Sequence, residues 1–126
     1  MAIAAVQTNL PDVNQKKFKW TAVGTTVAGS SIGDWVQTAD LDERTVTQGG
    51  TFGTTLAAIT WQGSLNGNTS DAVPFTLHNQ AGTAITATTA TGQAVAETAE
   101  YIRPIVSVAS TLSSIDCYLF GRMNPR

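Results

Sequence analysis

The chain has 126 residues, 42% of them hydrophobic and 13% charged, with a formal charge of -2 and a pI near 5.1. That length suits one domain with a worthwhile core and leaves little room for a second. The weak negative balance offers no basic footprint for a phosphate backbone, so nucleic acid is excluded as an expected partner. The longest apolar runs, such as 102–109, are far too short to span a bilayer, and the amino end lacks the basic-then-apolar layout of a leader. The expectation is a soluble protein made in the cytoplasm, with no membrane partner.

Polarity comes from Thr, Ser, Asn and Gln rather than from long charged side chains, and β-branched threonine suits an exposed pleated face. Residues 1–16 mix Ile3, Val6 and Leu10 with Asn9, Pro11, Asp12 and Asn14 and follow neither period two nor a helical period. They read as an extended N-terminal arm, and residues 17–126 as a single domain. From Lys17 short alternating segments are each stopped by Gly, Asn or Asp, the pattern of successive strands and turns. Phe18, Trp20 and Ala22 alternate with Lys17, Lys19 and Thr21. Strands are expected at 35–39, 44–48 and 55–62, the last with Ala57, Ile59 and Trp61 on one face. The 66–68 run, Asn-Gly-Asn, supplies a tight reversal.

Val73, Phe75 and Leu77 then point one way and Pro74, Thr76 and His78 the other, before a turn at 79–82. Ile85 with Ala87, and Ala94 with Ala96, mark two weaker strands, the second open to a helical turn through 97–100. Toward the carboxyl end Ile102, Val106 and Val108 are set against Arg103, Ile105 and Ser107. Ile115, Cys117 and Leu119 alternate with Asp116, Tyr118 and Phe120, which places Cys117 inside. About eight short strands at regular spacing predict an all-β, antiparallel β-sandwich of jelly-roll-like form.

Chemistry is sparse. His78 is the only histidine, on the polar side of its segment next to a turn, and no Gly-x-Ser-x-Gly elbow partners it. Asp40, Asp42 and Glu43 cluster, but not at the spacing of a calcium loop, and one cysteine with one histidine cannot complete a zinc site. Gly49 to Gly53 lack the ending of a phosphate loop and read as a bend with Phe52 packed over it. Neither a cofactor, a metal nor an enzymatic activity is expected. Trp20 and Trp61 share faces with apolar neighbours and read as core. Trp35 is the least buried of the three by pattern, and with Asn66 and Asn68 it forms the candidate glycan contact.

The order Thr-Val-Thr-x-Gly-Gly-Thr-Phe-Gly at 45–53, Trp-Gln-Gly-Ser-Leu-Asn-Gly at 61–67, Phe-Thr-Leu at 75–77, Asn-Gln-Ala-Gly-Thr-Ala at 79–84 and Glu-Tyr-Ile-Arg-Pro at 100–104 resembles small β-sandwich capsid cement, or decoration, proteins of tailed bacteriophages. The resemblance implies a structural virion protein, present in many copies on the outer capsid surface and clamping neighbouring major capsid subunits. It implies no catalytic residue. At 66–69 the chain departs from the family's more usual Asp-Gly turn followed by Trp, which bears on any sugar contact by the outer loop.

The expected contacts with capsid or with a second copy are Ile3, Val6 and Leu10 in the arm and Tyr101 and Arg103 on the face opposite Ile102. The expected partners are the major capsid protein and the chain itself, as a dimer by exchange of arms or edge strands or as a trimer at a capsid threefold position. The alternative function is a carbohydrate- or receptor-binding module of a phage head or tail fibre, built on Trp35 and the loop at 66–71.

Overall fold

The structure, a computed structural model, describes residues 3–10, 14–23, 32–53, 57–66, 73–108 and 113–123. Among those residues the only regular element is the β-strand: β1 (Ala5–Leu10), β2 (Gln15–Val23), β3 (Val36–Gln37), β4 (Leu41–Thr51), β5 (Ala58–Ser64), β6 (Phe75–Thr76), β7 (Thr86–Ala87), β8 (Thr91–Ala94), β9 (Tyr101–Val108) and β10 (Ser114–Met123). No helix among them is long and apolar enough to cross a membrane.

Two antiparallel sheets result, one ordered β1-β2-β10-β4-β8 and the other β3-β9-β5-β6, with β7 also pairing β5. Taken by partner, β2 pairs with β10, β3 with β9, β4 with β8, and β5 with β6 and β7. The chain thus runs out and returns beside itself, its rungs dealt alternately to the two sheets.

Both sheets contribute to one core. Phe18, Trp20, Val46, Ile115, Cys117 and Leu119 from the first meet Val36, Ile59, Trp61 and Ile102 from the second. The indoles of Trp20 and Trp61 pack edge to face with centroids 5.6 Å apart, the offset geometry that aromatic quadrupoles favour. Trp61 Nε1 donates to Gln48 Oε1 at 3.1 Å, and Gln48 Nε2 donates to Thr91 O at 3.0 Å and Thr91 Oγ1 at 2.7 Å. A buried amide joined to partners in both sheets avoids the cost of stranded polar atoms. Gly33 lets Trp20 seat: a Cβ there would lie 2.8 Å from the indole and from Pro104 Cδ.

The expected boundary at residue 17 does not hold. Residues 5–10 form β1, which pairs along β2 from Ala5↔Trp20 to Leu10↔Gln15, so this part of the arm is an edge strand of the first sheet. Alternation hid it because the edge position tolerates polar residues on both faces. Asn14 closes the hairpin at φ 55°, a left-handed conformation asparagine accepts, and its Nδ2 donates to Met123 O at 3.0 Å.

The glycine-rich stretch is also different. Gly49 and Gly50 lie inside β4, and Gly50 takes φ 132° where a Cβ would lie 2.5 Å from Ser114 O. Phe52 is buried as expected. Ala94 and Ala96 are exposed while Val95 is buried, so that weak strand has the opposite phase. Residues 97–100 form no helical turn. Of Val73, Phe75 and Leu77, only Leu77 is buried.

Candidate functional site

The outward face of the second sheet gathers three of the residues singled out from sequence, Trp35, Tyr101 and Arg103. Register aligns Val36 with Ile102, Arg103 with Gln62, and Gln62 with Thr76. Trp35 therefore stands beside Arg103 in a cross-strand row. The Arg103 guanidinium lies over the Trp35 ring, 4.2 Å from its centroid, and its Nε donates to Gln62 Oε1 at 3.0 Å. Burial pushes the Arg103 pKa below its ordinary value, yet an arginine stays charged at any physiological pH. One row away, Thr60 Oγ1 lies 3.0 Å from Thr86 Oγ1 and donates to Ser107 Oγ at 2.7 Å. Tyr101 aligns with Gln37 on one side and Ser64 on the other.

Arg103 and Trp35 thus act on each other before any partner arrives. A guanidinium on the indole face is a cation–π contact, and it occupies the surface on which a sugar ring would stack. Asn66 is committed too: its Oδ1 accepts from Ser64 Oγ at 3.0 Å and from Val73 N at 3.1 Å, so it fastens its own loop. Asn68 lies outside the described residues.

Among the expected contact residues, Ile3 is half-buried against the core, held by Ile3 N to Ile32 O at 2.9 Å and Asp34 N to Ile3 O at 2.7 Å. Val6 is 64% exposed on the outer face of β1, opposite Lys19. Leu10 belongs to β1 by its backbone, and its side chain lies outside the described residues.

His78 and the acidic side chains Asp40 and Glu43 are engaged with neighbours. His78 Nδ1 lies 2.5 Å from Glu97 Oε2, and His78 N donates to Glu97 Oε1 at 2.7 Å. Partial burial raises the Glu97 pKa, but the bonds from His78 outweigh it and hold the carboxyl below its ordinary range. Asp40 pairs with Lys16 and Glu43 with Arg122 at 3.9 Å. Among the described residues no three His, Cys, Asp or Glu side chains converge. Cys117 is buried, and burial with the field of Asp116 pushes its pKa up to about 12.

Sequence reasoning passed over two features. On the outer face of the first sheet Tyr118 and Phe120 stack with centroids 6.2 Å apart, and Lys19 Nζ lies 5.5 Å from the Tyr118 centroid. Their outward phase was legible; large aromatics at outward positions were the available signal. At the open end of β5, Leu65 and Val73 are 66% and 71% exposed, beside Phe75. Comparison with known proteins returns no matching family model, no matching curated protein and no matching solved structure.

Proposed function

We propose that the chain is a structural virion protein that decorates the outer surface of a phage capsid, adhering to major capsid subunits and to its own copies by surface complementarity. The observation that carries this reading is the strand order. The pairings β2 with β10, β3 with β9, β4 with β8 and β5 with β6 and β7 support reading the two sheets as a jelly-roll sandwich, an architecture used by viral capsid and lectin domains. Fold alone does not select between those uses. The resemblance of 45–104 to capsid decoration proteins points to the first. So does Trp35, whose ring face is taken by Arg103.

Adhesion draws on three surfaces. Among the described residues no further strand pairs with the outer side of β1, where Val6 is exposed, and a strand edge of that kind supports pairing with a second copy as a dimer. Tyr101 and Arg103 on the second sheet and the apolar end at Leu65, Val73 and Phe75 supply anchors of the type enriched at interfaces. The protein acts by binding, without catalysis or cofactor.

The test is cosedimentation of the purified chain with capsids assembled from the major capsid protein of the same genome. Saturable binding, weakened by Arg103→Glu and Val6→Asp, is the expected result. Absence of binding to capsids at micromolar protein sinks the proposal.

A further inference from the structure

Beyond β1, the outer face of the first sheet takes no part in the contacts assigned above. Strand register sets its outward residues in two rows. Tyr118 aligns with Lys19 on one side and with Thr47 and then Gly92 on the other. Phe120 aligns with Lys17 on one side and with Thr45 and then Ala94 on the other. Cys117 and Leu119 fill the core, so both rows face away from it. The stacked rings of Tyr118 and Phe120, with Lys17 and Lys19 Nζ 6.0 and 5.5 Å from the Tyr118 centroid, make a raised half along β2 and β10. Along β4 and β8 the side chains are short. Gly92 keeps that half low, since a Cβ there would lie 2.9 Å from Thr47 Cγ2.

We propose that this face packs on the same face of a second copy, about a twofold axis that lies between β10 and β4 and runs along them. A raised half beside a low half is self-complementary under such an axis, as an isologous contact requires. Rotation lays β10 of each copy over β4 of the other, and β2 over β8, in the aligned manner of stacked sheets. The rings of Tyr118 and Phe120 then seat on Thr47 and Thr45 of the second copy, and the aliphatic stems of Lys19 and Lys17 cover its Gly92 and Ala94.

Charge selects this axis. Arg122 on β10 aligns with Asp42 on β4, and its Nη1 lies 3.9 Å from Glu43 Oε2, with both side chains more than half exposed. An axis between those strands sets each Arg122 against Glu43 of the other copy. An axis across the strands would instead oppose Lys17 to Lys19 and ring to ring, a like-charge arrangement that costs affinity. The four strands hold 9, 10, 11 and 4 residues. At about 3.3 Å per residue and about 4.8 Å between strands they span roughly 500 Å² per copy, so a pair buries on the order of 1,000 Å², the level a specific contact needs. Strand β1 overhangs this contact on each side and its edge stays open. The pairing therefore stands independently of the capsid role.

Sedimentation velocity of the full chain tests it. A monomer–dimer equilibrium with Kd on the order of 10 µM is expected. Arg122→Glu and Glu43→Lys should each weaken it at least about tenfold, because each sets like charges against one another twice in the pair. An equimolar mixture of those two variants should recover the dimer, since every reversed charge then meets its opposite across the axis. A pair acting only within one chain would not recover on mixing. Thr47→Arg, which fills the low half of the face, should leave a folded monomer. A chain that stays monomeric at a concentration of about 200 µM, well above that Kd, overturns the proposal. So does a dimer that Thr47→Arg leaves unchanged, or a mixture of the two charge variants that is no more associated than either alone.

Discussion

The two sheets are built differently. In the first, β2, β4 and β10 run for 9, 11 and 10 residues and are joined by long backbone ladders. In the second, β5 and β9 are flanked by β3, β6 and β7, each of two residues. Side chains take over where the ladder is short. Arg103 ties Trp35 to Gln62, Thr60 ties Thr86 to Ser107, and Asn66 ties Ser64 to Val73. A sheet of long strands draws its order from backbone pairing, and a sheet of fragments needs local polar clamps to hold its edges.

The sharpest contrast concerns Cys117, on the inner face of the first sheet. With its pKa pushed up to about 12, it carries on the order of a thousandfold less thiolate than an ordinary cysteine at pH 8. Ellman's reagent should label it only at the rate of global unfolding, and at once in denaturant. Fast native labelling would mean that the long-stranded sheet opens locally.

Next in size is the link between the sheets. Trp61→Ala should cost about 3–5 kcal/mol in denaturant unfolding, the range for emptying a large aromatic site. Gln48→Leu should cost about 1–3 kcal/mol, because the buried Trp61 indole N–H loses its acceptor. Arg103→Met should cost only about 0.5–1 kcal/mol, the loss of a partly exposed cation–π contact. If Arg103→Met costs as much as Gln48→Leu, the clamps matter more than the cross-sheet amide.

The smallest effect is the Glu97 clip to His78. The Glu97 carboxyl titrates lower folded than unfolded, so its contribution is complete above the unfolded pKa and is lost as pH falls through the folded one. Melting temperature should fall on acidification through that window, and Glu97→Gln should flatten this part of the profile. An unchanged profile in the variant would remove the clip from the stability of the second sheet.

Much of the interior was legible. Phe18 and Trp20 in β2, Ile59 and Trp61 in β5, Ile102 in β9, and Ile115, Cys117 and Leu119 in β10 are all buried as their alternation predicts. The 79–82 turn closes as read, with Gly82 N donating to Asn79 O at 3.0 Å and Asn79 Oδ1 accepting from Ala81 N and Thr83 N at 3.0 Å each. Period-two patterning is a local property, and it is strongest where one face is wholly apolar.

By itself the sequence determined the all-β class and, in the clearest strands, which residues bury, since each follows from side chains a few positions apart. Only the tertiary structure decided which strands pair and what lies between them. Asp42 aligns with Arg122 but Thr45 with Phe120, a bulge at which Glu43 takes φ 46°. That one extra residue turns Arg44 inward along with Val46 and Gln48, which no local count of apolar residues could supply. The pairing of β1 with β2 and the Arg103 cap on Trp35 are of the same kind. Each depends on which segments the long-range ladders bring together, a choice made by the burial of the whole core and not by any window of the chain.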